Sequence, residues 1–291
     1  MKRTVVISAC LCAAGILTAG GPGTIAGLSL LRSGDVRSVA MGGSAVWLGG
    51  SAGAMYANPA GLSGVTGFDV SASYQAGFAD SYLTTFNGAT RLGPAAVGIG
   101  LGFYNTGAVD LMDSFGVVRT VSALSDSMFR IGAAVGTEDV FSCGATATLF
   151  SSRLVEEFTA TALLFDAGAL LRVGRFSVGV SLQNLGGTLT YDTAAAAVPL
   201  RMRGGIGYTD GRLAVGVEAS KEPDTNIREM LGAEYRFTES FTVRAGYKIG
   251  YDTELWTLGF GASFGMIRVD YAFSFFTDTA AGHQIGFGAS F

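Results

Sequence analysis

Charged residues recur at even spacings in the second half of this 291-residue chain: Arg201 and Arg203, Glu234 and Arg236, Arg244 and Lys248, Arg268 and Asp270, with Glu218 among them. Residues two or four apart in a strand share a face, so these charges line one side of a sheet. The chemistry open to them is ionic. They can form a polar path, anchor another segment, or pair across strands, as Glu234 or Asp270 would with Arg244 or Arg268; the mixed signs favour pairing. Catalysis asks for more. The single histidine, His283, has no nearby cysteine or acidic pair and makes neither a nucleophilic triad nor a metal site. No Gly-x-Ser-x-Gly elbow occurs, and "GIGLGF" lies in an alternating segment where strand packing accounts for its glycines. These residues predict no enzyme and no cofactor.

The elements that must carry these charges are strands. From about residue 66 the chain alternates with period two, the pattern of strands with two unlike faces. In "FTVRAGYKIG" (241–250), Phe241, Val243, Ala245, Tyr247 and Ile249 oppose Thr242, Arg244, Gly246, Lys248 and Gly250. "MIRVDYAFSFF" (266–276) sets Ile267, Val269, Tyr271, Phe273 and Phe275 against Arg268, Asp270 and Ser274. Turn signals such as "RLGP" and "YTDGR" separate about fourteen candidate strands, each about ten residues long, the length that crosses a bilayer at a tilt. They start near 67, 81, 95, 126, 141, 157, 175, 199, 212, 228, 241, 255, 266 and 282. Alternation breaks in those near 81 and 157. Asp166 falls on what its neighbours make the apolar side, which predicts a bulge or a place above the bilayer.

Composition selects between two all-β architectures. Charged residues are only 14% of the chain and hydrophobic ones 49%, against roughly 25% charged in soluble domains. A soluble sandwich carries charge outside and bulk inside. Here the bulky face is aromatic and aliphatic, and the other is Gly, Ala, Ser and Thr with the charges. That suits a closed antiparallel transmembrane β-barrel with bulk toward lipid and an enclosed polar interior. The last strand, "HQIGFGASF", ends on Phe287 and Phe291 and resembles the C-terminal signal by which bacterial outer-membrane barrels reach their assembly machinery. Trp256, Tyr208, Tyr247 and Tyr271 read as girdle aromatics at the two interfaces.

Residues 1–26 read as a secretory signal: Lys2 and Arg3, then "TVVISACLCAAGIL", then "TIA" (24–26) or "TAG" (18–20) before the cut. Cutting after Ala26 leaves 17 basic against 23 acidic residues, a net charge of −6, and Cys143 as the lone cysteine. An acidic chain without a basic stripe predicts no nucleic-acid partner. No disulfide framework is possible.

Residues 27–65 do not alternate. Ser51 is placed to cap a brief helix through "AGAMYA", and Pro59 forces Asn58 out of the helical region. "RSVAMGGSAVWLGGSAGAMYANPAGLSGV" (37–65) resembles the N-terminal signature of the PorV/PorQ family, within the FadL-type outer-membrane barrels. The resemblance rests on Arg37, on Met41, Gly42 and Gly43, and on Asn58, Pro59, Ala60 and Gly61, with further matches at 141–152, 165–172, 177–187 and 198–208. It implies a fourteen-stranded barrel over residues 66–291 whose segment 27–65 folds inward as a plug, with Asn58 and Pro59 marking where plug becomes wall. Trp47 and Met55 are then expected to pack plug against wall.

Two functions stay open. The FadL resemblance implies passage of small hydrophobic molecules across the outer membrane, and predicts an apolar pocket lined by residues 41–60. The PorV/PorQ resemblance implies a barrel that docks secreted proteins for type IX secretion, which needs outward loops; 106–125, 190–198 and 221–228 are the longest candidates. Outer-membrane lipid and the barrel assembly machinery are partners under either reading.

Overall fold

A computed structural model describes residues 25–112, 114–137, 139–223, 225–277 and 281–291. The expected signal segment lies, up to residue 24, outside the described residues. Eighteen strands follow in chain order: β1 (Phe68–Ala76), β2 (Tyr82–Leu92), β3 (Ala95–Asn105), β4 (Ala108–Met112), β5 (Val118–Ser122), β6 (Leu124–Thr137), β7 (Phe141–Leu154), β8 (Phe158–Val173) and β9 (Phe176–Leu185). Then come β10 (Thr188–Tyr191), β11 (Ala194–Ala197), β12 (Arg201–Thr209), β13 (Leu213–Lys221), β14 (Arg228–Thr238), β15 (Phe241–Ile249), β16 (Glu254–Phe264), β17 (Ile267–Phe276) and β18 (Gly282–Ser290).

Fourteen of these close into one antiparallel barrel, and β4–β5 and β10–β11 form two separate hairpins. The seam pairs β1 with β18, from Asp69 opposite Ser290 to Ala76 opposite His283. Closure leaves the barrel without an open edge. Alternation orients each strand: Arg244 is buried while Phe241, Ala245 and Tyr247 are exposed on β15. Tight turns and both barrel termini gather at one end, where Phe68 N–H donates to Phe291 O at 3.1 Å. The hairpins and longer connections gather at the other. Among the described residues no helix is long and apolar enough to cross a membrane.

Asp166 departs from the expectation. It points inward and is buried, because the inner face of β8 is itself apolar through Ala160, Ala162 and Leu164. The bulge lies on the neighbouring strand: Phe165 pairs with Leu185 but Ala167 with Leu182. Asn184 takes up the extra residue at φ 60°, a conformation Asn tolerates better than most, and its N–H donates to Asp166 Oδ1 at 2.7 Å. The β10–β11 hairpin accounts for that apolar face, since Leu189 joins Leu164, Phe150 and Leu30 in one buried cluster.

Residues 25–67 fill the barrel. One short helix, α1 (Val36–Ala40), starts where Asp35 Oδ2 accepts from Ser38 N–H at 3.2 Å. It stops at the Met-Gly-Gly: Gly42 N–H donates to Val39 O and Gly43 N–H to Ser38 O, with φ 68° and 89°. That double bond pattern with a left-handed glycine is a Schellman cap. Two further turns, Ala52–Tyr56 and Pro59–Gly64, are 3₁₀ helices. Ser51 makes no side-chain cap on the first; Ala52 N–H donates instead to Asp69 Oδ1 of the wall at 2.8 Å. Asn58 and Pro59 likewise lie deep inside against β7 and β8, and the chain enters the wall only after Val65.

Wall glycines set how closely plug and barrel approach. A Cβ at Gly207 or Gly216 would overlap the Trp47 indole, and one at Gly246 would overlap the Gly42 backbone. Gly144 and Gly168 leave the same room for Pro59 and Asn58. Gly216→Ala should therefore lower the stability of the refolded barrel by about 1–3 kcal/mol. The loss should shrink toward zero in a Trp47→Ala background, because both changes address one contact. Thermal melts of the four proteins in detergent would check this; additive losses would refute the contact.

Candidate functional site

The plug backbone is held by side chains that alternation points inward. Arg203 and Glu218 sit on adjacent strands β12 and β13 and pair at 2.5 Å. Glu218 Oε2 also accepts from the N–H groups of Ala45 (2.9 Å) and Val46 (2.8 Å). Arg203 donates to Gly43 O at 2.7 Å and to Tyr56 O at 3.3 Å. One ion pair thus grips two stretches of plug. Asn58 repeats the theme: its Nδ2 donates to Val46 O and Ala169 O, and its Oδ1 accepts from Ala60 N–H.

Small polar side chains complete the ring. Ser73 and Thr85 donate to Gly34 O, Ser142 to Ala60 O, Ser181 to Ala57 O, Gln183 to Tyr56 O and Thr257 to Ala40 O. Sequence reasoning passed over these residues. Their only signal is a hydroxyl or amide at an inward position, which looks the same as filler.

Below the plug, toward the tight-turn end, lies a cavity of about 580 Å³ lined by Asp35, Arg37, Glu234, Arg236, Arg244 and Asp270 among others. A chain of ion pairs crosses it. Arg37 of the plug holds both Glu234 oxygens (2.9 and 2.7 Å), Glu234 meets Arg244 (2.7 Å), Arg244 meets Asp270 (2.6 Å) and Asp270 meets Arg268 (2.9 Å). So Arg37, Glu234, Arg244, Arg268 and Asp270 are brought together. Arg236 is exposed and makes no ion pair among the described residues. Burial pushes the Asp35 carboxyl above the usual carboxylate range, opposed by Arg37. Burial also disfavours charge on Arg37, but Glu234 outweighs it and raises the guanidinium above its ordinary value.

Above the plug a second cavity, about 320 Å³, opens toward the hairpin end. Arg32, Arg201, Arg203, Arg228 and Lys248 reach it, beside Phe78, Tyr251 and Phe276. Arg201 pairs with Glu222 at 2.7 Å and donates to Leu31 O at 3.1 Å, and Lys248 pairs with Glu254 at 2.6 Å. This corrects one expectation: among the described residues, 41–60 line no apolar pocket of solute size, and Ala45, Leu48, Gly49, Ala54 and Ala57 border only a void of about 10 Å³. Gly42, Gly43 and Tyr56 alone of that stretch reach the upper cavity, because Met41, Trp47 and Met55 are packed against wall glycines and buried.

Gly61 is buried under Leu48 and Gly49, whose atoms a Cβ would meet. Phe287 points outward, and Phe291 ends the chain with its ring 6.3 Å from that of Phe68. Trp256 stacks on Phe275 at 5.0 Å near the hairpin end, and Tyr208 packs edge-on to Phe176 at 5.3 Å near the tight-turn end. Among the described residues no group of three His, Cys, Asp or Glu side chains could hold a metal.

No protein-family model matches the chain, and no curated protein matches it. Solved structures do. The toluene transporter TbuX of Ralstonia pickettii is 16% identical with a TM-score of 0.67, over 90% of this chain and 99% of that one. The toluene transporter TodX of Pseudomonas putida is 15% identical with a TM-score of 0.65, over 89% and 98%. A FadL homologue of Pseudomonas aeruginosa is 11% identical with a TM-score of 0.64, over 89% and 98%. The chain therefore shares the closed fourteen-stranded fold of these barrels.

Glu218→Ala strands a buried guanidinium and two plug amides, and should cost about 3–5 kcal/mol. Arg236→Ala removes an exposed, unpaired charge and should stay within about 0.5 kcal/mol. Denaturant melts and limited proteolysis of residues 43–58 would read both. Equal behaviour of the two variants would contradict the placement of the latch.

Proposed function

We propose that the chain is an outer-membrane barrel of the FadL type that moves small hydrophobic molecules across that membrane. The observation that carries this reading is a plugged, outwardly apolar barrel similar along nearly its whole length to proteins named as toluene transporters. The outward rows of Phe129, Ile131, Leu149, Leu163 and Phe165 are exposed, a surface that water would penalise and hydrocarbon would not. Aromatic clusters at both ends mark the two interfaces.

The same reading takes residues 1–26 as the export signal, 27–65 as the plug and 66–291 as the wall, with Phe287 and Phe291 as the assembly signal. Within the broader fold, Arg37, Met41, Gly42, Gly43 and Asn58 to Gly61 support placement in the PorV/PorQ family. These residues serve the plug: they cap α1, bind Glu234 and bridge to β8. A solute entering the upper cavity meets aromatic rings beside paired charges, and it passes only when the plug yields.

A second reading is docking of secreted proteins for type IX secretion. Its support is the β4–β5 hairpin at the end away from the termini, where Met112 (73%), Phe115 (90%) and Val118 (56%) expose large apolar surface.

Uptake of toluene by a deletion strain should fall severalfold and recover with the intact gene; uptake that does not change would remove the transport reading. Affinity capture from solubilised membranes, with and without residues 108–122, tests the second. Docking predicts a secretion component lost with the hairpin, and the same captured proteins from both forms would exclude it.

A further inference from the structure

Barrel strands differ in length. β6, β7 and β8 have 14, 14 and 16 residues, whereas β1, β12, β15 and β18 have 9. The extra length rises at the hairpin end, and the outward chemistry changes there in a single step. Leu101, Phe129, Leu149 and Leu163 lie opposite one another across β3, β6, β7 and β8 and form an apolar row. Two residues higher, about 7 Å along the strands, the register aligns Phe103, Ser127, Ser151 and Thr161. The next row aligns Tyr82, Asn105, Ser125, Arg153 and Thr159.

These residues point outward, since the intervening Asp126, Phe150, Ser152 and Ala160 are buried inside. The two upper rows, Thr161 excepted, line a groove of about 480 Å³, which Tyr104 and the buried Asp126, its carboxylate held by Ser29, also border. Arg153 sends Nε and Nη2 to Glu156 O at 3.0 and 2.8 Å, yet makes no ion pair among the described residues. Its charge is left for a partner. Tyr82 and Phe103 offer partly exposed rings, and Ser127 and Thr159 offer exposed hydroxyls.

We propose that this face binds the sugar-phosphate head of an outer-leaflet glycolipid, with its acyl chains on the apolar row below. Each row fits one part of such a molecule. Leucines and Phe129 meet hydrocarbon, hydroxyls exchange hydrogen bonds with sugar hydroxyls, the rings cover the apolar face of a sugar, and the guanidinium takes a phosphate in charge-assisted hydrogen bonds. The order of the rows commits the occupant, because a free saccharide would leave the apolar row unused. This inference rests on the bilayer placement proposed above, but not on transport.

The test is binding by the purified full chain in detergent, followed by native mass spectrometry. Probes are rough-form lipopolysaccharide, its deacylated core oligosaccharide, inorganic phosphate and phosphatidylglycerol. Lipopolysaccharide should bind at least tenfold more tightly than the other three. The double substitution Ser127→Leu with Arg153→Leu should weaken it about tenfold or more, as lost charged and neutral hydrogen bonds together predict. Ser151→Ala with Thr159→Ala is the milder second variant, expected to weaken binding severalfold should the first fail to fold. Equal binding of phosphatidylglycerol would reduce the site to simple charge attraction and overturn the proposal, as would undiminished binding by a folded variant. Toluene uptake should be the same in cells carrying either variant, so a failed transport reading and a failed glycolipid site give different results.

Discussion

A segment folded inside a closed barrel cannot rely on bulk water for its backbone hydrogen bonds, so the wall must supply the partners. That constraint organises this molecule. Residues 27–65 form only five residues of α-helix, and in the remaining 3₁₀ turns and irregular chain local bonds such as Ala54 N–H to Ser51 O and Val65 N–H to Leu62 O match only part of the amides and carbonyls. Burying such groups unpaired costs more than most packing returns. Hence the inward positions of β1, β2, β7, β9, β12, β13 and β16 carry Ser, Thr, Gln, Arg and Glu aimed at particular plug atoms. The same constraint accounts for the wall glycines that face plug backbone, such as Gly144, Gly179 and Gly246, because so close an approach of wall to plug backbone leaves no room for a side chain.

Much of the wall was legible in advance because its cause is local. Period-two alternation and turn residues place the starts of the fourteen strands within about two residues of where they lie, but not the extra length of β6, β7 and β8. β2 and β8 looked doubtful for a physical reason now visible in β8. From Ala160 to Leu164 its inner face packs against Leu30 and a folded-back hairpin, so both of its faces are apolar there, and only from Asp166 onward does it meet the polar Asn58 of the plug. The interval 106–125 reads as a loop but forms β4 and β5, whose five-residue strands are too short for alternation to register.

The site was legible in its charges and not in its tethers. Arg37, Glu234, Arg244, Arg268 and Asp270 could be picked out because ionised groups on an alternating face must find each other. Ser73, Ser142 and Ser181 could not, since a serine that ties down a plug carbonyl has the same sequence context as one that fills space. Nor does any periodicity report the path of residues 27–65, which is set by long-range contacts. That is also why an apolar pocket was expected where Trp47 and Met55 in fact fill it.

Packing and ion pairing divide the work of holding the plug. Trp47 against Gly207 and Gly216, or Met55 against Gly98 and Gly132, supply energy without direction: an apolar surface shifted slightly finds other apolar atoms. A buried ion pair adds little net energy over apolar residues of the same size, yet its geometry is narrow. Arg203 can reach Glu218, Gly43 O and Tyr56 O together only with the plug in one place, and Arg37 can hold both oxygens of Glu234 only with α1 in one orientation. Losing that seat exposes a charged group to a low-dielectric interior, so intermediate positions are costly. A plug held this way has one well-defined resting position, and any passage through the barrel must break several directional contacts together rather than slide past them one at a time.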